Sequence, residues 1–272
     1  MPAVGAKSAP DGAASGSGVL AARGAVALTA AMARSTRRKP KPRLMDRIAA
    51  ATRRLLRWLG LGLLGLAALM VAWVALYKVV DPPGGLYMWS ESRRLGGVTR
   101  EWVDFDAVAP AMARSVVAAE DVNFCRHWGF DIEAIREAMA EGGTRGASTI
   151  TQQVVKNVFL WHGRTMLRKA LEAVLTPLVE LLWSKQRILE VYLNVAEFDE
   201  GIFGVQAAAR RYFSREAADL SAQQAGLLAA MLPAPQTRDA ARPDDFTRRR
   251  ASAIADGAAT IARDDRGACF GG

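Results

Sequence analysis

The sequence predicts a mainly α protein, with a single membrane-spanning helix near the N-terminus and a helical domain behind it. Three observations carry that expectation. Trp58–Tyr77 is a run of twenty uncharged residues, and at ~1.5 Å per residue a helix of that length spans ~30 Å, the hydrocarbon thickness of a bilayer. From about Asp106 to about Leu232 the apolar residues follow a helical pattern, with no convincing run of alternating strands and no internal repeat. The composition is rich in Ala and Leu and poor in aromatics, with four Tyr and nine Phe in 272 residues.

Charge and metal-ligand counts narrow the classes further. The net charge is +9, but it is not spread over the chain. Residues 1–57 hold twelve basic and two acidic side chains, a net +10, leaving 24 basic and 25 acidic residues, a net −1, in the other 215. A high pI would suit a nucleic-acid binder, yet the excess lies in one tail and the body is neutral, so nucleic acid is not an expected partner. Two His and two Cys are too few for a His/Cys metal cluster or a disulfide scaffold, and no protein-built metal site is expected.

Taken in order, residues 1–57 form a basic tail, Ala/Gly/Ser-rich over 1–33 and partly disordered. The transmembrane helix occupies 58–78, with Trp58, Trp73 and Tyr77 at or near its ends, where aromatic rings favour the interface. Ten basic residues stand between Arg34 and Arg57, while only Lys78 follows the span before Arg93, so the positive-inside rule places the N-terminus in the cytoplasm and the body outside it. Two rivals stay open. A cleaved signal peptide would need a shorter apolar region behind a short basic segment, and Thr52-Arg53-Arg54-Leu55-Leu56-Arg57 has the look of a twin-arginine signal. Asp81-Pro82-Pro83-Gly84-Gly85 stops the helix and opens a connector over 79–105. The compact domain follows over 106–238, and a C-terminal helix and tail over 239–272.

Within the domain, the segment 108–126 reads as one helix that puts Glu120, Phe124 and His127 on a single face. A carboxylate among Ala119 and Phe124 suits a general base or acid with a raised pKa; a solvated helix face is the bland alternative. After the glycines of 142–146, Ser148 or Thr149 can cap a helix that carries Thr149, Gln153 and Lys156 on one face and Gln152 beside Lys156. Hydroxyl, amide and ammonium together suit a sugar diphosphate. A third helix, about 164–183, holds Arg168, Lys169 and Glu172, where Arg168 and Glu172 could form no more than a surface ion pair.

These segments carry a resemblance. Glu120-Asp121-Val122-Asn123-Phe124-Cys125-Arg126-His127-Trp128-Gly129 resembles the EDxxFxxHxG signature of the family 51 peptidoglycan glycosyltransferases. Gly146–Asn157 is similar to their GxSTITQQxxKN motif, Arg168–Glu172 to RKxxE and Ile188–Asn194 to ILxxYLN, in family order over about 110 to 233. The run Asn157–Arg164 resembles the monofunctional biosynthetic transglycosylases, and the chain has no Ser-x-x-Lys or Lys-Thr-Gly of a transpeptidase.

The resemblance implies a lysozyme-like, two-lobed domain acting on lipid II, the undecaprenyl diphosphate-linked disaccharide-pentapeptide, and polymerising it with inversion at the donor MurNAc C1. It implies Glu120 as the base and Glu172 as a second essential carboxylate. It also implies Lys156 and Arg168 as diphosphate ligands, Ser148, Thr149, Gln152 and Gln153 as sugar- and phosphate-contacting residues, and Asp121 and Asn157 in support. Glu190 is expected to be structural. No tightly bound cofactor is implied, although a divalent cation such as Mg²⁺ could accompany the diphosphate. The expected setting is the bacterial inner membrane with the domain periplasmic, and the membrane and other cell-wall or division proteins are expected partners. Val158-Phe159-Leu160-Trp161 could enter the bilayer interface or pack in the core. Cys125 and Cys269 are not expected to pair, because Cys269 falls in a tail. A wall-cleaving lysozyme-like enzyme and a non-catalytic scaffold remain as rivals.

Overall fold

The computed structural model describes residues 43–142, 146, 148–163 and 165–271, so most of the basic tail lies outside the described residues. The chain divides into two units, 1–62 and 63–272. Helix α1 spans Leu44–Leu76, beginning fourteen residues before the expected span because nothing from 44 to 57 breaks a helix: there is no Gly or Pro in that stretch. Asp46 in its first turn accepts the Arg43 backbone N–H at 3.0 Å. Among the described residues α1 is the one helix long and apolar enough to cross a membrane.

The second unit continues with α2 (Leu86–Leu95), β1 (Thr99–Arg100), α3 (Pro110–Glu120), α4 (Ile132–Ala140), α5 (Ile150–Phe159), α6 (Met166–Leu182) and α7 (Lys185–Val195). Then come β2 (Glu197–Asp199), β3 (Ile202–Phe203), α8 (Val205–Phe213), α9 (Ala222–Met231) and α10 (Asp245–Arg263). The fold is mainly helical, as expected. The strands form one small sheet in the order β1-β3-β2, with β1 parallel and β2 antiparallel to β3; two- and three-residue strands are too short to leave an alternating pattern.

Two helical groups position the site. Helix α5 packs against α6 and α7, and α3 packs against α9 and α10. Val116, Ile150, Val154, Val155, Ile188, Leu189 and Leu228 are fully buried between them. Val158, Phe159 and Leu160 are buried too. Phe159 meets Trp73 edge-on at 5.2 Å and lies 6.1 Å from Trp183. Val158, Phe159 and Leu160 therefore pack in the core, with Trp161 partly buried, where α5 meets the Trp73 end of α1.

Two further expectations are corrected. The helix read over 108–126 ends at Glu120, since Asp121 leaves the helical region (φ −162°) and commits its carboxylate elsewhere. The C-terminal segment is no loose tail: Ala251, Ile254, Ala258 and Ile261, at i, i+3, i+7 and i+10, bury one face of α10. Beyond it a short 3-10 turn, Ala268–Phe270, buries Phe270 and brings Cys269 into a disulfide with Cys125 across a sequence separation of 144 residues.

Candidate active site

The site is assembled where α3 ends and α5 begins. Four N–H groups at a helix start lack partners within the helix, and three of the expected site residues answer that need. Asp121 Oδ2 accepts the Ile150 N–H at 3.0 Å, while Oδ1 is 2.7 Å from His127 Nε2. Thr149 caps α5, its Oγ1 accepting from Gln152 N, and Gln152 Oε1 accepts the Thr149 N–H at 3.1 Å, closing a reciprocal capping box. The Thr149 hydroxyl also donates to the Gly129 carbonyl at 2.6 Å. Gly129 sits at φ +82°, and a Cβ there would lie 2.4 Å from Thr176 Cγ2, so the turn that presents its carbonyl requires glycine.

Asp121, Thr149 and Gln152 are accordingly buried and bonded to protein. Thr149 and Gln152 are expected to contact substrate and Asp121 to support them; in the structure all three bond to protein and hold the first motif against the second. Asp121, His127 and Asp131 do place ligand-type atoms within 4.8 Å of one another. However, Asp131 accepts from Ala134 N–H and Asn123 Nδ2 at 2.9 Å each, and the cluster is a closed hydrogen-bond network.

What remains accessible is Glu120, Gln153, Lys156, Asn157, Arg168 and Ser148. Gln153 Nε2 donates to Glu120 Oε2 at 2.9 Å, and Gln153 Oε1 lies 3.4 Å from the Tyr192 hydroxyl. Burial pushes the half-buried Glu120 carboxyl above the usual carboxylate range, opposed by the Gln153 bond and by the charges of Arg250 and Lys156. No salt-bridge partner stands within 4.0 Å of it among the described residues.

Glu172 occupies a different environment. It is 2% exposed. Arg168 Nη1 donates to its Oε2 at 2.9 Å, and Lys169 Nζ and Gln152 Nε2 both donate to its Oε1. Arg168 is thus no surface pair, with only 12% of its side chain exposed and its Nε buried without a partner. The half-buried Lys156 feels both carboxylates: burial lowers its pKa, the Glu172 charge opposes that most strongly, and Glu120 adds to it. Asn157 Oδ1 is 3.3 Å from His162 Nε2. The His162 ring stacks on Tyr87 with centroids 3.5 Å apart. Burial, with the charges of Lys156 and Arg168, holds that imidazole down at about 4, hence neutral at pH 7. Ser148 is exposed beside the glycine loop, whose residues 143–145 and 147 lie outside the described residues.

Glu190 bonds Arg187 at 2.8 Å, and Asn194 of the fourth motif ties α7 to both backbone groups of Val103. Two residues near the carboxylates escaped the sequence reading as site residues. Lys169 was noted only as part of a motif, and its i, i+3 spacing to Glu172 was the available signal. Arg250 gave no signal in a run of three arginines.

Comparison with known proteins identifies the family. Residues 90–259 match the family model described as Transglycosylase, extending beyond the expected 106–238 at both ends. A biosynthetic peptidoglycan transglycosylase of Jannaschia sp. (strain CCS1) is 56% identical over 239 residues, 88% of this chain and 99% of the relative. Proteins of the same name from Xanthomonas axonopodis pv. citri and Rhodospirillum centenum are 51% and 48% identical, over 74% and 80% of this chain and 87% and 96% of their own lengths. With its two carboxylates set among those four motifs, the chain belongs to the transglycosylase family.

Proposed function

We propose that this chain polymerises lipid II into glycan strands at the outer face of a cytoplasmic membrane, as a peptidoglycan glycosyltransferase without transpeptidase activity. The observation that carries the reading is the contrast between the two carboxylates. Glu120 is half-buried, raised and bound by one amide, whereas Glu172 is buried under Arg168, Lys169 and Gln152. A carboxylate without a cation in contact suits a proton acceptor, and a cluster of cations suits an anionic leaving group.

In this mechanism the acceptor's GlcNAc 4-hydroxyl oxygen attacks the donor MurNAc C1 and its proton passes to Glu120. The bond from C1 to the phosphate oxygen breaks with its electron pair, and undecaprenyl diphosphate leaves. Lys156 and Arg168 stabilise the departing charge, Glu172 fixes the Arg168 fork in place, and Gln153 aims Glu120. Ser148 and Asn157 contribute polar contacts at the rim. A divalent cation such as Mg²⁺ would arrive with the diphosphate, since the only cluster of suitable donors among the described residues is closed by hydrogen bonds.

Helix α1 supplies the membrane anchor this substrate demands, and the basic flank orients it with the N-terminus inside. A reporter active only outside the cytoplasm should work when fused after Asp81 and fail at Arg47; a processed periplasmic protein lacking residues 1–75 would refute the anchor. Incubation of the full chain with lipid II, with products separated by size, tests the activity. Long glycan supports the proposal, whereas cleavage of preformed wall fragments, or no product, opposes it.

A further inference from the structure

The apolar helix α1 does not simply lead into the domain; its exit is gripped by it, through contacts that all lie within the second unit, 63–272. A helix end leaves its last carbonyls without partners in the helix. At the end of α1 the backbone N–H groups of Lys78, Val79 and Val80 turn back to Ala75 and Leu76, and the corner between α6 and α7 meets other carbonyls. Trp183 Nε1 donates to the Val74 carbonyl at 2.8 Å, and both residues are buried. Arg187 Nε and Nη2 donate to the Tyr77 carbonyl at 3.2 Å each, and Nη2 also reaches the Val80 carbonyl at 3.0 Å and Asp81 Oδ1 at 2.9 Å. Its Nη1 donates to Glu190 of α7, and only 11% of the side chain is exposed.

A cation at a helix C-terminus answers the dipole, but an anchor that only retains a domain needs none of this and works through a loose linker. Here the grip continues into the site. Phe159, at the end of α5, lies 5.2 Å from Trp73, 5.8 Å from Tyr77 and 6.1 Å from Trp183. Lys156 and Asn157 stand on the turn of α5 just before it. Arg100 fastens the connector by its Pro82 carbonyl at 2.7 Å, and at Gly85 a Cβ would overlap the Asn157 carbonyl oxygen. The exit of the span and the end of α5 that bears Lys156 are thus one packed body.

We infer that Trp183 and Arg187 are positioning residues, which fix the exit of the membrane span to the domain so that Lys156 and Arg168 meet the diphosphate of a substrate held in the bilayer. The inference rests on the proposed action on lipid II. Such a substrate cannot rise or turn to meet the enzyme, because its lipid stays in the hydrocarbon and its diphosphate at the headgroup level. The enzyme must therefore set the height and tilt of its own groups, and a misplacement of about 1 Å can cost ~10²-fold in rate. In a detergent micelle substrate and enzyme reorient freely, so the same joint matters little. Arg187 suits the task because its planar fork holds two carbonyls and a carboxylate of the exit at once.

The test compares polymerisation by the full-length protein in two media, with rates taken per inserted enzyme: lipid II and enzyme together in phosphatidylethanolamine–phosphatidylglycerol vesicles, and the same pair in detergent. Arg187→Gln should lose about 10-fold or more in vesicles and keep near wild-type turnover in detergent. Arg187→Lys should recover part of the vesicle rate, since an ammonium cannot bridge Tyr77, Val80 and Asp81 together. Trp183→Phe, which removes only the bond to Val74, should show the same selectivity to a smaller degree, and serves if Arg187→Gln does not fold. Melting temperatures are measured alongside, because a merely structural role would slow both media alike. Equal loss in the two media, or no loss in vesicles, by folded variants overturns the inference while leaving the activity in place. A wild-type protein that makes no glycan from lipid II in either medium overturns the functional reading, and the inference with it.

Discussion

The two glutamates of the site, Glu120 at the end of α3 and Glu172 within α6, are the same side chain in opposite situations. Glu172 is enclosed, and its oxygens accept from a guanidinium, an ammonium and an amide. Glu120 has one amide, cations acting from a distance, and burial working against its charge. Environments that differ in this way separate the tasks of two like groups. One carboxylate is spent on holding cations in place, and the other is left poised to take up a proton.

The largest expected effect removes the poised group. Glu120→Gln should lower polymerisation by about 10²–10⁴-fold while lipid II binding persists, because the amide keeps the shape and the bond to Gln153. Near wild-type turnover in this variant would erase the distinction between the two glutamates. The next effect strikes the other side of the comparison. Lys156→Ala and Arg168→Ala should each cost about 10–100-fold in kcat/KM, the scale of a charge-assisted hydrogen bond to phosphate, ~1.5–3 kcal/mol. Arg168→Lys should restore only part of this, since an ammonium cannot reproduce the fork. Normal turnover in Arg168→Ala, whatever its melting temperature, would leave Arg168 with no role beyond pairing Glu172.

A third expectation concerns the frame around Glu120. The Cys125–Cys269 bridge ties the turn after Glu120 to the buried C-terminal Phe270, whose ring lies 6.4 Å from Phe124. Cys269→Ser should cost about 2–5 kcal/mol of stability, measured by denaturant unfolding, and a variant as stable as wild type would show that the α10 packing alone secures that end.

Much of this site was legible in the sequence because motif order and helical spacing report on local geometry. Glu120, Gln153, Lys156, Arg168 and Glu172 do converge, and the i, i+4 reading of Arg168 and Glu172 gave a real pair, though a buried one. Thr149 was legible as a helix cap, but the inward turn of Asp121 and Gln152 was not, since a capping residue and a substrate ligand use the same polar side chains. Helix periodicity could not show that α3 stops at Glu120, because the stop is enforced by a bond from Asp121 to a residue 29 positions away. A helix within 239–272 was legible, but the burial of its Ala251, Ile254, Ala258 and Ile261 stripe was not, because alanines mark a buried face only weakly. The cysteine pairing depended on that missed packing, as did the placement of Arg250.

The contrast between the glutamates is tested most directly by the melting temperatures of Glu120→Gln and Glu172→Gln, compared with wild type across pH. A carboxyl whose pKa is raised on folding binds more protons in the folded state, so its burden on stability is absent below the unfolded pKa and complete above the folded one. Glu120→Gln should therefore melt higher than wild type at pH 7, with the gain vanishing as the pH falls through the titration of Glu120 to the ordinary carboxylate range. Glu172→Gln should melt lower at pH 7, because it leaves Arg168 and Lys169 facing an uncharged partner in a buried setting. Changes of the same sign in the two variants at pH 7 would contradict the account.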